Sequence, residues 1–175
     1  MKTTDSKIVY RGGILNIRRE RVTLPSGRQT TREVAEHGDA VVVIAVDPDG
    51  NLLLERQYRQ AAGRELLEIP AGGIEPGEEP AATVCREMQE ETGFMPRKVE
   101  KLGGFYSAPG WATEYLHLFL ATDLVPSRLT AEDTHEITVE AVPVSRIAGL
   151  IMDGAIEDGK TVAGLLWYLK MREGR

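Results

Sequence analysis

The segment GGIEPGEEPAATVCREMQEETGF, residues 72–94, decides how this 175-residue chain is read. A glycine turn leads to Pro80, which suits the first turn of a helix, and Ala81, Val84, Cys85 and Met88 then recur at helical spacing. Gly93 stands where such a helix stops. The last turn before it holds Glu87, Glu90 and Glu91, at the helix end whose partial charge is already negative. Like charges three or four positions apart destabilise a helix by roughly 0.2–0.5 kcal/mol per pair. A basic residue four positions after Glu87 would stabilise the turn, yet the chain has Glu91 there. Arg86, four residues before Glu90, can soften the repulsion on a solvated helix end. A hard divalent cation such as Mg²⁺ or Mn²⁺, which takes carboxylate oxygens and water, would neutralise it more directly.

The rest of the composition frames this cluster. A hydrophobic content of 42% and a charged content of 27% are those of a folded globular protein rather than a disordered one. Residues 72–94 hold six acids and one base, so −5 of the formal net charge of −6 lies in that segment. Such a balance, with no basic stripe, argues against nucleic acid as a partner. The N-terminal MKTTDSKIVY lacks an apolar targeting core, and AVVVIAV, residues 40–46, is too short to cross a bilayer. A cytoplasmic location with no membrane partner is therefore expected. Cys85 is the only cysteine, which excludes an intrachain disulfide and suits a buried small hydrophobe.

Outward from the helix, the patterning predicts strands at 40–46 and 51–59, joined by the turn DPDG, and in LLEIPAGG, residues 66–73, a short strand that runs into a glycine turn. Further strands are expected within 99–107, 114–124 and 136–144, and helices over 144–154 and 160–172. Residues 1–38 carry a hairpin, ILNIRRERVTL and RQTTREVAEH about the turn PSG, whose alternation is too poor for a core of its own. They read as an N-terminal antiparallel β-appendage that packs on the main domain or on a partner subunit. Residues 39–175 then form the main domain, a sheet flanked by helices.

Spacing sharpens the functional reading. Gly72, Glu78, Arg86, Glu87, Met88, Glu90, Glu91, Gly93 and Phe94 are nine fixed positions in 23 residues, and together they resemble the signature of the Nudix hydrolase family. The resemblance implies an α/β/α sandwich with a mixed sheet, and Mg²⁺- or Mn²⁺-dependent hydrolysis of a nucleoside diphosphate linked to another moiety. It implies Glu87 and Glu91 as principal metal ligands, Glu90 as a further ligand or base, the backbone carbonyl of Ala71 as another ligand, and Arg86 as the residue that orients the carboxylates.

Outside the motif, Pro109 in SAPGWATE lies 15 positions after Phe94, and TREVAEHGDAVVV and LLLERQYRQAAGRELLEIPAG flank the first strands. These stretches resemble the ADP-ribose pyrophosphatase subgroup. The resemblance implies a homodimer, Arg32 and Arg59 as diphosphate or nucleotide contacts, and Glu114 as a contact near the terminal ribose. Ala35 stands where some members carry an aromatic residue, and Trp111 is the candidate to stack on the base instead, the alternative for it being a lid on the core. The general base is expected in LTAEDTHEIT, where position favours Asp133 and chemistry equally admits Glu132, Glu136 and His135. The implied reaction is hydrolysis of ADP-ribose to AMP and ribose 5-phosphate. Alternatives are another NDP-sugar such as GDP-mannose, or a non-catalytic nucleotide-binding regulatory module. RNA cap hydrolysis ranks lower for want of a basic surface.

Overall fold

The computed structural model describes residues 1–130 and 136–174. They divide into two compact units, Met1–Asp39 with Phe105–Tyr115, and Ala40–Gly104 with Leu116–Arg175. The first unit is a three-stranded antiparallel sheet in the order β1 (Lys2–Arg11), β2 (Asn16–Thr23), β3 (Gln29–Glu36). The expected hairpin is β2–β3, turned at Gly27 with φ 83°. Strand β1 is an addition that alternation did not signal, because nearly all of its side chains are exposed. Val22 and Ala35 are the buried hydrophobic residues of this unit. Cross-strand ion pairs, Arg18 with Glu36 at 2.5 Å and Arg19 with Glu33 at 2.9 Å, do part of the work that apolar packing does elsewhere.

The second unit contains β4 (Ala40–Ala45), β5 (Asn51–Arg59), β6 (Arg64–Glu68), β7 (Ala71–Gly73) and α1 (Pro80–Glu87). After a π-helical turn at Met88–Thr92 come β8 (Phe94–Tyr106), β9 (Tyr115–Pro126), β10 (Thr138–Pro143), α2 (Val144–Met152) and α3 (Gly159–Glu173). One sheet has the order β7-β4-β9-β8, with β4 parallel to β9 and antiparallel to β7, so it is mixed. A second sheet has the order β10-β5-β6. Every residue of β4 is buried, as a central strand covered on both faces requires. Val41, Val43 and Ala45 cluster with Val84 and Met88 of the motif helix. On the opposite face, a Cβ on Gly164 of α3 would lie 3.4 Å from Ile44 and 3.3 Å from Leu118. Helices therefore cover both sides of the mixed sheet, and the architecture is the α/β sandwich that the motif implied.

The DPDG turn is present, the Gly50 amide donating to the Asp47 carbonyl at 3.0 Å, and it passes the chain from the β4 sheet to the β5 sheet. Two local readings need correction. LLEIPAGG is two strands, β6 and β7, in different sheets, with Ile69 and Pro70 between them. The Pro70 carbonyl accepts a hydrogen bond from the Val43 amide at 2.9 Å, which ties this crossing to β4. The motif helix is α-helical only to Glu87. The Met88 carbonyl receives both the Thr92 hydroxyl at 2.5 Å and the Gly93 amide, an i to i+5 closure that defines the π turn. Gly93, at φ 80°, ends the helix as expected. Cys85 is half-buried, and burial pushes its thiol up, which fits an inert packing role.

Candidate active site

Glu87, the last residue of α1, and Glu91 of the π turn are buried, 9% and 8% exposed, and Glu90 is half-buried beside them. Gly72 of β7 makes room for this. A Cβ there would overlap the Glu87 carboxylate, far inside the 3.0 Å below which real Cβ contacts are essentially never found. The motif glycine is thus a steric requirement of the motif glutamate. Next to it, the Ala71 amide donates to Glu91 Oε2 at 3.1 Å, which brings the backbone of the proposed Ala71 ligand beside that carboxylate.

Arg86 holds the rim together. Its Nε and Nη2 donate to the two oxygens of Glu78, each at 3.0 Å. Its Nη1 reaches Glu87 Oε1 at 2.7 Å and Glu90 Oε2 at 3.1 Å, and Nη2 also donates to the Gly73 carbonyl at 3.0 Å. The expected pairing of Arg86 with Glu90 is present, but as one arm of a four-partner clamp. The Arg86 guanidinium holds the Glu78 carboxyl down at about 2. One arginine against Glu78, Glu87 and Glu90 leaves the group anionic.

Two buried carboxylates that sequence reasoning missed complete the picture. Glu55 of β5 is 2% exposed and lies against Glu91, and Glu68 of β6 is equally buried. Glu68 is neutralised: Arg59 grips its two oxygens at 2.8 and 2.7 Å, and Lys160 of α3 pairs with it as well. Burial pushes Glu68 up, but these partners outweigh it and hold the carboxyl below its ordinary value. Asp158, the N-cap of α3, accepts from the Thr161 amide at 3.0 Å and pairs with Lys160 at 2.8 Å, which fixes the lysine.

For Glu55 and Glu91 the nearby cations offset burial only in part. Burial pushes Glu55 up to about 8, with the Glu68 charge adding to it and the Glu91 hydrogen bond opposing it. Burial, then the charges of Glu55 and Glu87, push Glu91 well above the carboxylate range. Burial also raises Glu87, against the pull of Arg86. Among the described residues, Glu55 Oε1 is a buried oxygen with no hydrogen-bond partner. This donor set of hard oxygens, in excess of its counter-charge, fits a divalent cation in chemistry. In geometry it is not yet gathered, since among the described residues no three His, Cys, Asp or Glu side chains stand in ligand arrangement. Arg86 takes one oxygen each of Glu87 and Glu90.

A model of the NUDIX domain matches residues 36–165 of this chain, and a model of the nucleoside diphosphate sugar hydrolase N-terminal domain matches residues 1–35. The chain belongs to the Nudix family. This Nudix chain is 34% identical to the ADP-ribose pyrophosphatase of Bacillus subtilis (strain 168), over 98% of its own length and 94% of that protein's. It is 33% identical, with the same coverage, to the methanol dehydrogenase activator of Bacillus methanolicus. A crystal structure of an ADP compounds hydrolase superposes with a TM-score of 0.90, covering 99% of this chain and 94% of that one at 21% identity, which speaks for the fold.

The remaining predicted site residues of the Nudix chain are distributed as follows. Arg59 faces Glu68, as described. Glu136 is exposed, in the turn before β10, and Asp133 lies outside the described residues, as do Glu132 and His135. In the first unit, Arg32 is exposed on β3, where its Nη1 donates to the Thr31 carbonyl at 3.2 Å. Pro109 and Trp111 belong to the 105–115 segment, and the Ala35 amide donates to the Trp111 carbonyl at 2.7 Å. Trp111 thus sits beside the alanine whose missing aromatic ring it was expected to replace, with its own side chain 62% exposed. Glu114 pairs with His37 at 3.1 Å. The signal for Glu55 was its parity: it shares a strand face with Leu53, which packs in the cluster of Val84 and Met88. The signal for Glu68 was an acid inside an apolar run.

Proposed function

We propose that this chain hydrolyses the pyrophosphate bond of ADP-ribose to AMP and ribose 5-phosphate, using Mg²⁺ or Mn²⁺. The observation that carries this reading is the buried cluster of Glu55, Glu87 and Glu91, which has fewer counter-charges than carboxylates and borders the motif glycine. A diphosphate cannot approach such a surface without cations. The similarity along nearly the whole chain to an ADP-ribose pyrophosphatase supports the choice of substrate.

Bound there, a divalent ion would screen the diphosphate, polarise its phosphoryl oxygens and make water a better nucleophile near neutral pH. Glu87, Glu91 and the Ala71 carbonyl would hold it, and Arg86 keeps Glu87 and Glu90 oriented. Water adds to one phosphorus, the bridging P–O bond breaks, and the water proton passes to a carboxylate. Glu90, Asp133 and Glu136 are the candidates for that proton. On residue matches alone, Arg32, Arg59, Pro109, Trp111 and Glu114 are assigned to nucleotide recognition. The chain is further proposed to be a cytoplasmic homodimer joined through its first unit, where Val9 and Tyr10 of β1 and Ile14 of the connection to β2 are exposed. Among the described residues no helix is long and apolar enough to cross a membrane.

The test is phosphate release, coupled to a phosphatase, with Mg²⁺ and a panel of ADP-ribose, GDP-mannose, NADH and dinucleoside polyphosphates. ADP-ribose should be the preferred compound, and Glu91→Gln should lower turnover by orders of magnitude while the protein stays folded. Tight binding of one compound with turnover of none would favour a regulatory module, and light scattering at monomer mass would refute the dimer.

A further inference from the structure

The Glu55 carboxyl sits at the end of the apolar run Leu52–Leu54 and is as buried as they are. Strand alternation carries it to the face of β5 that meets the motif helix, and there it lies against Glu91. Among the described residues, the neighbouring cations form their ion pairs with other carboxylates. Arg59, four residues along the same strand, forks onto Glu68, Lys160 joins it there, and Arg86 is spent on Glu78, Glu87 and Glu90. Glu55 Oε1 is left buried and without a hydrogen-bond partner among the described residues. A buried carboxylate oxygen with no partner is costly, and a strand that needed only bulk at this position would take leucine, as it does at 52, 53 and 54.

Resting on the cation-dependent reading above, we propose that Glu55 is a further carboxylate ligand of the divalent-cation site, its Oε1 joining Glu91 in holding the ion. The signature spanning residues 72–94 does not contain this position. Because β5 pairs with both β6 and β10, Glu55 is held by a paired strand rather than a loop, and is positioned before an ion arrives. The ligands would thereby come from β7, the motif helix with its π turn, and β5, the last of which lies outside the motif.

The experiment measures Mn²⁺ binding to the whole protein after chelator treatment, by the electron paramagnetic resonance signal of free Mn²⁺, with no substrate present. Wild type, Glu55→Gln, Glu91→Gln and Glu65→Gln are compared, the last an exposed strand control. Glu55→Gln should weaken Mn²⁺ binding about tenfold or more, as should Glu91→Gln, with Glu65→Gln unchanged. In chelator, Glu55→Gln should melt no lower than wild type, and Mn²⁺ should raise its melting temperature less. Affinity within twofold of wild type in a folded Glu55→Gln protein would overturn the proposal and reduce Glu55 to a carboxyl that shares a proton with Glu91. If Glu55→Gln does not fold, anomalous scattering from Mn²⁺ in wild-type crystals decides: an ion coordinated by Glu55 Oε1 supports the assignment, and one on Glu87 and Glu91 alone defeats it. Wild type that binds Mn²⁺ but cleaves none of the panel would refute the proposed reaction and leave the ligand intact. No Mn²⁺ binding by wild type would refute both.

Discussion

Gly72→Ala isolates the geometric demand of the site from its chemistry. The backbone at Gly72 is not in the left-handed region, so alanine is tolerated there conformationally. What it cannot tolerate is the Glu87 carboxylate, which the new methyl would overlap. Ordinary contact begins at 3.4 Å, so the carboxylate must withdraw by more than about 1 Å, and a displacement of that size in a reacting constellation costs roughly 100-fold in rate. The moving atoms are the far end of a flexible side chain, so the folded state should lose no more than about 1 kcal/mol, the off-rotamer cost. The two readouts should therefore separate: kcat for ADP-ribose down roughly 100-fold, and the melting temperature in chelator lowered by only a few degrees. A folded Gly72→Ala protein that keeps activity within about threefold would refute the argument that this glycine exists to seat Glu87.

Other consequences can be checked in the same way. The Glu78 carboxyl is held near 2, below its ordinary 4.5, so its pairing with Arg86 stabilises the fold above about pH 4.5 and is lost as pH falls toward 2. After allowance for solvent screening this is about 1 kcal/mol, and the melting difference between wild type and Glu78→Gln should be largest at neutral pH and shrink as pH falls through about 2. Asp158→Ala removes the N-cap of α3 and one partner of Lys160, and should cost about 1–2 kcal/mol in denaturant melts. Trp111→Ala should raise KM for ADP-ribose roughly tenfold with little change in kcat, as loss of a base stack worth roughly 1–3 kcal/mol requires. An unchanged KM would remove Trp111 from recognition.

Much of this was legible because it is local. The motif helix announces itself by Pro80, apolar residues at helical spacing and Gly93, all set by interactions within a few residues. The acid cluster was equally plain, as was the hairpin about PSG. Strand β1 was not, because its exposed side chains carry no alternation to read. The π turn escaped notice because it depends on the Thr92 hydroxyl and the Gly93 amide converging on one carbonyl.

By itself, then, the order of residues determined the chemistry on offer: a glycine, an arginine and three glutamates at spacings that specify one helix end and its family. Only the tertiary structure decided which carboxylates share that place. Glu55 and Glu91 are 36 positions apart in the chain, and nothing local says that β5 runs past the π turn on the same side. Nor does anything local say that Arg59 and Lys160 pair with Glu68 rather than with Glu55. The physical reason is that charge acts through space, so the balance of a buried site follows from sheet order and strand parity, which emerge only when the chain has packed.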